Sequence, residues 1–265
     1  MPEPIDKIMA LYVHVPFCEA KCRYCSFYSV AAEGHDVERV VSAIVKEMDM
    51  YDLSNSVTTV YIGGGSPSCL PQGQLFRLVC EAAARCPAAE EFTVEINPGQ
   101  ADERILSRLR QTGVNRLSIG AQSFDNDELQ TLGRRHTAGQ ITGAVEKARK
   151  SGFENIGLDL ISAIPGSTLK SLQHSLQSAI DLKVEHISVY SLTYEKDTPL
   201  QKAVCDGQVV PVDEETDCVM YEMTIDVLGA AGFQQYEISN FARASFQCRH
   251  NLNYWANGSY IGVGP

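Results

Sequence analysis

The feature that most constrains this chain is a strand followed by a helix, repeated six times. The strands are short β-branched or aliphatic runs: LYVHV from Leu11, TTVYI from Thr58, FTVEI from Phe92, RLSIG from Arg116, IGLDLI from Ile156 and ISVYSL from Ile187. They are apolar at nearly every position or alternate loosely, the pattern of parallel strands covered by helices. Strand–helix alternation implies a parallel sheet with right-handed crossovers. Six units predict an α/β fold, in the form of a partial (β/α)6 barrel more naturally than a flat doubly wound sheet, between which periodicity alone does not decide. A helix and strand extension follows it. The 265 residues suit one such domain, the barrel over about 8–210 and the extension over about 211–265.

The intervening helices are amphipathic. Val37, Val40, Val41, Ile44, Val45 and Met48 form one stripe, and Ile105, Leu106 and Leu109 another, which Gly113 stops. Thr137 is placed to cap the helix of Ile141, Val145 and Ala148, which ends at Gly152. Ser167 is placed to cap that of Leu169, Leu172, Leu176 and Ile180. A last long helix runs from about Asp213 to Leu228, with Val219, Met220, Met223 and Val227 on one side.

The net charge of −11 repels phosphate backbones, so no nucleic-acid partner is expected. No apolar run reaches the length of a bilayer span. The N-terminal segment has neither a secretory nor a transit signal, which predicts a cytoplasmic protein. Nine cysteines, an odd number clustered at one point, do not form a secreted disulfide framework. Cys80, Cys86, Cys205 and Cys218 are expected to be small buried apolar side chains.

The cluster of cysteines is Cys18-Glu-Ala-Lys-Cys22-Arg-Tyr-Cys25, directly after the first strand. Barrels of this kind place their chemistry on such loops. Structural zinc wants four ligands in closed geometry. Three thiolates suit a [4Fe–4S] cluster with one iron left open to a small molecule. A zinc knuckle with a distant fourth ligand is the alternative.

The CxxxCxxC spacing resembles the radical S-adenosylmethionine (SAM) superfamily, which implies a TIM-type partial barrel. In that family the open iron binds SAM, and the reduced cluster cleaves it to a 5′-deoxyadenosyl radical. Further motifs carry the resemblance along nearly the whole chain. Gly63-Gly64-Gly65-Ser66-Pro67 is similar to the glycine motif that contacts the SAM amino group, which implicates Gly64, Gly65 and Ser66. YVHVPFC implies that Tyr12 contacts SAM, and Tyr24 lies against the nucleotide. VEINP, LSIGAQSF, LGRRH and GLDLISAIPG implicate Glu95, Gln122, Arg134 and Asp159 in the same way. His14 is left between two roles, a hydrogen bond to the cluster loop and a core histidine.

Within the superfamily the chain resembles the branch of the oxygen-independent coproporphyrinogen III oxidases and the HemW-type heme chaperones. The oxidases carry a fourth cysteine where this chain has Phe27. His250-Asn251-Leu252-Asn253-Tyr254-Trp255 is similar to the HNxxYW motif of the chaperones, associated with heme. The resemblance implies a carrier of heme to acceptor hemoproteins, with cofactors [4Fe–4S], SAM and heme. His250 would be an axial ligand, Tyr254 and Trp255 walls, Arg243 and Arg249 propionate partners, and Cys248 a second possible ligand. The competing role for His250 is a structural hydrogen bond. The competing functions are the oxidase, through a deoxyadenosyl radical, and a radical SAM RNA-modifying enzyme. A homodimer is a further expectation. The chain ends on YIGVGP, without the small C-terminal domain of the family. A single core domain in which barrel and SAM site survive is therefore expected.

Overall fold

The computed structural model describes residues 9–54 and 56–265, so the reading of the segment 1–8 lies outside the described residues. Each of the six expected strands forms. They are β1 (Ala10–Val15), β2 (Thr59–Gly64), β3 (Glu91–Ile96), β4 (Arg116–Gln122), β5 (Asn155–Ser162) and β6 (His186–Ser191). All pair in parallel and in chain order. Helices α1 (Val37–Met48), α2 (Gln72–Arg85), α3 (Glu103–Gln111), α4 (Asn126–Leu132), α5 (Ala138–Lys150) and α6 (Leu169–Asp181) make the crossovers.

The extension runs through α7 (Pro199–Cys205), α8 (Glu214–Ala230), β7 (Gln234–Gln235), β8 (Asn240–Ala242), α9 (Arg249–Trp255) and β9 (Tyr260–Val263). β8 and β7 add antiparallel beyond β6, while β9 returns to pair in parallel with β1. The sheet order is thus β9-β1-β2-β3-β4-β5-β6-β8-β7, with β9 and β7 as its two edges. The barrel stays open.

Alternation along the strands is stricter than the sequence suggests. Leu11, Val13 and Val15, then Val60 and Ile62, Val94 and Ile96, Leu117 and Ile119, Leu158 and Leu160 all join the apolar core. Their neighbours turn the other way. Tyr12, Tyr61, Arg116, Ser118, Asp159, His186 and Ser188 line a cavity inside the barrel. A period of two sends one face of each strand to the helices and the other to the lumen. This lumen is polar, where TIM barrels carry packed layers of branched aliphatics.

Helix ends follow the expected chemistry with one shift. Thr137 and Gln140 form a capping box at α5, and Gly113 and Gly152 take positive φ past α3 and α5. Thr168, not Ser167, caps α6, because its hydroxyl accepts from the Ser171 N–H. On α8 the buried positions are Met220, Thr224 and Leu228, and Val219 is exposed. Of the four cysteines expected to be buried only Cys86 is; Cys80, Cys205 and Cys218 are exposed. They lie on the outer faces of helices whose inner faces are filled by larger apolar side chains.

Candidate functional site

At the C-terminal ends of the strands, the cysteine loop and the glycine turn lock onto one another. Gly65 N–H donates to Val15 O at 2.8 Å and Ser66 N–H to Phe17 O at 2.7 Å. A Cβ on Gly65 would stand 2.3 Å from Phe17 O, so only glycine fits. Gly64 has φ of +106°, and a Cβ there would stand 2.7 Å from the His14 ring. That conformation is open to glycine at little cost. His14 accepts or donates at both nitrogens, with Tyr12 Oη at 3.1 Å and Tyr28 O at 2.8 Å. It therefore pins the far end of the cysteine loop to β1, the first of its two expected roles.

The loop is held on its other side by α4 and α7. Arg23 N–H donates to Leu132 O at 3.0 Å, and Leu200 N–H donates to Arg23 O at 2.8 Å. Tyr24 packs against Leu132, Ile161, Ile164, Leu192 and Leu200. Cys18, Cys22 and Cys25 are each half-buried. Arg134 donates from Nη1 to Cys22 Sγ at 3.4 Å and from Nη2 to Gly120 O at 2.9 Å. Burial, and then the neighbouring thiols, push Cys25 up; burial also pushes Cys18 up.

Among the described residues, no three His, Cys, Asp or Glu side chains converge on a point that holds a single metal ion. A cubane takes each thiolate at a different iron, so its cysteines stand further apart than the ligands of one ion. Three accessible thiols on a braced loop, a guanidinium against one of them and a glycine cradle beside them fit such a cluster and a zwitterionic ligand.

Below the glycine turn, Glu95 accepts from Tyr61 Oη at 2.8 Å and from Gly64 N–H at 3.2 Å. A Cβ on Gly63 would press on this carboxylate at 2.8 Å. Burial raises Glu95 to about 7, against the Tyr61 hydrogen bond, which lowers it. Asp159 accepts from Ser188 Oγ at 2.8 Å and Ser118 Oγ at 2.9 Å, and burial raises it too. Gln122 sits at φ of +67° where the β4–β5 register shifts. Ser66 donates to Gln100 Oε1 at 3.1 Å. Tyr12, Tyr24, Gly64, Gly65, Ser66, Glu95, Gln122, Arg134 and Asp159 thus stand on the lumen or its cluster end. Tyr61, Arg116, Ser118 and Ser188 belong to the same surface and escape motif reading; the signal for them is the in-phase polar residue at every second strand position.

Of the expected heme residues, Cys248, His250 and Tyr254 line the same cavity from its other end. Helix α9 crosses the N-terminal ends of the strands, opposite the cysteines. Glu91, the first residue of β3, accepts the backbone N–H groups of Arg249 and His250, each at 3.0 Å, and the Cys248 thiol at 3.5 Å. His250 is 2% exposed, with Nδ1 at 3.0 Å from Thr59 Oγ1 and Nε2 at 3.0 Å from Tyr254 Oη. Burial, and then the nearby Arg116, hold it down to about 4. Both ring nitrogens carry hydrogen bonds, the structural role that competes with an axial ligand. Cys248 is buried and pushed up to about 12, far from a ready thiolate. Arg243 stacks over the Phe233 ring at 4.5 Å and donates to Val184 O and Ala231 O. Arg249 pairs with Glu90. Each guanidinium thus has partners within the chain, Arg249 in an exposed pair. Tyr254 and Trp255 do present exposed ring surface.

The sequence pattern of the Radical SAM superfamily matches residues 12–179. The heme chaperone HemW of Lactococcus lactis strain IL1403 is 37% identical over 98% of this chain and 69% of its own length. That of Bacillus subtilis strain 168 is 39% identical over 96% and 68%. Among solved structures, the coproporphyrinogen III oxidase HemN of Escherichia coli superposes with a TM-score of 0.84 at 23% identity. That likeness covers 98% of this chain and 64% of the oxidase chain, and it carries the fold. By pattern, identity and extent of match, the chain belongs to the radical SAM superfamily and, within it, to the HemW family.

Proposed function

We propose that this chain is the cluster-bearing core of a heme carrier that delivers heme to acceptor hemoproteins. The observation that carries the reading is the braced, half-open loop of Cys18, Cys22 and Cys25, in a chain of the HemW family. The three thiolates hold a [4Fe–4S] cluster by three of its irons. When bound, the cluster supplies one-electron chemistry toward SAM at its open iron. The chain's own residues bind and orient: Gly64, Gly65 and Ser66 offer backbone and hydroxyl groups to the SAM amino group, with Glu95 as its carboxylate partner. Arg134 faces the SAM carboxylate, while Tyr12, Tyr24, Gln122 and Asp159 line the nucleotide side. Heme lies against Tyr254 and Trp255, with His250 holding the Tyr254 hydroxyl from beneath.

We read residues 1–265 as one domain, since β9 pairs with β1 and ties the extension to the barrel. No helix among the described residues is long and apolar enough to cross a membrane. A cytoplasmic homodimer completes the reading, and light scattering on the reconstituted protein tests the dimer. The test of function is anaerobic reconstitution with parallel assays for heme binding and for 5′-deoxyadenosine. Heme bound at one site per chain and passed to an apo-hemoprotein supports the carrier. Deoxyadenosine formed in step with porphyrinogen turnover, and no heme transfer, rejects it.

A further inference from the structure

The lumen holds a buried cation that makes no ion pair among the described residues. Arg116 opens β4 and is 2% exposed. Its Nη1 reaches Thr93 Oγ1 at 3.5 Å, the outer limit of a hydrogen bond, and its buried Nε has no partner. No ion pair among the described residues includes it. The carboxylates that feel its charge, Asp159, Glu91 and Glu95, are hydrogen-bonded elsewhere, Glu95 to Tyr61 and Gly64. Asp159 accepts the Ser118 and Ser188 hydroxyls, and Glu91 accepts the first N–H groups of α9.

The guanidinium borders a cavity of about 140 Å³, lined also by Tyr61, Asp159, His186, Ser188 and His250. That is close to the size of an apolar cavity, about 150 Å³, known to accept benzene. His186 is also buried, and its Nδ1 lacks a partner. Gly157 keeps this corner clear: a Cβ there would stand 3.2 Å from Arg116 Nη2 and 3.3 Å from His186 Nδ1.

A buried guanidinium held by one long hydrogen bond, with its Nε unpartnered, is costly, and the cost falls when a charged acceptor arrives. A carboxylate matches the fork with two parallel N–H···O bonds. Asp159 and Glu91 balance the site's charge without filling the fork. We propose that this cavity is a carboxylate-binding subsite in which Arg116 holds the carboxylate of a small organic acid or of a tetrapyrrole's propionate arm. The second source rests on the heme reading above; the first does not.

The test titrates the full chain with carboxyl-labelled propionate followed by carbon NMR, and separately with heme and heme dimethyl ester. Wild-type protein is expected to bind propionate saturably. Arg116→Gln should weaken that binding about tenfold or more, the loss of a charge-assisted pair. Gly157→Ala, which keeps the charge and crowds the fork, should weaken it less, and it carries the comparison if Arg116→Gln fails to fold by near-ultraviolet circular dichroism. Propionate binding lost with heme affinity unchanged, or with no heme binding at all, assigns a free acid. Heme affinity falling in Arg116→Gln, to the level at which wild type binds the dimethyl ester, assigns the propionate arm. Binding of propionate and heme that is absent or indifferent to both substitutions overturns the subsite and leaves the fork to ordered water.

Discussion

At the C-terminal ends of the strands the chain leaves its cysteines open; around α9, at the N-terminal ends of β2 and β3, it saturates its polar side chains. Cys18, Cys22 and Cys25 are half-exposed, and the loop that carries them is fixed through its backbone, at Arg23 and at the Gly64–Ser66 turn. The thiols themselves make few contacts, among them Arg134 Nη1 against Cys22 Sγ. Around α9 the reverse holds: Glu91 takes two backbone N–H groups and a thiol, and His250 bonds at both ring nitrogens. Backbone bracing prepares a site for something that arrives. Side-chain saturation prepares a plug. The difference separates ligand-holding from fold-holding residues among polar groups equally suggestive in sequence.

The largest effect that tests this contrast is at the open end. Cys22→Ala should abolish cluster assembly while leaving the thermal midpoint within a few degrees, as expected for a half-exposed loop side chain. Iron and sulfide analysis with a melting curve checks it, and a collapse of stability would show that the loop holds the fold. At the saturated end, Glu91→Ala should cost about 3–5 kcal/mol, because it strips the first turn of α9 of its acceptor and leaves Arg116 less compensated. Urea unfolding measures the loss, and cluster loading should not change.

Two smaller tests use pH. Glu95 is raised from 4.5 to about 7 in the fold, chiefly by burial. The native state therefore holds a proton that the unfolded state has released between those values. Stability should fall as pH rises through that window, by about 3 kcal/mol in all, and Glu95→Gln should flatten the slope. His250 moves oppositely, from 6.5 down to about 4. Its contribution is present above 6.5 and lost as pH falls toward 4. His250→Ala should remove that acid limb and cost about 2 kcal/mol at neutral pH, through two lost hydrogen bonds. A loss of heme affinity much larger than the loss of stability would make His250 a heme ligand; a loss of stability with heme affinity little changed would leave it the support of Tyr254.

Much of the open end was legible because its parts are local. Three cysteines in eight residues and a glycine run after a strand signal chemistry without knowledge of the fold. The six strands were legible from their apolar runs. The plug was not, since the partners of His250 are Thr59 and Glu91, more than 150 positions earlier in the chain. Arg116 was hidden for a related reason: one polar residue opening an apolar run reads as a strand boundary until the sheet curls and turns it inward. The exposed Cys80, Cys205 and Cys218 show the converse, since small apolar side chains near a helix do not reveal which face they occupy.

The most direct measurement is iron and sulfide content with electron paramagnetic resonance on the anaerobically reconstituted, reduced chain, before and after SAM. About four irons per chain, with a spectrum that changes when SAM is added, is the predicted result. Tightly bound zinc in place of iron, or a cluster signal indifferent to SAM, would contradict it.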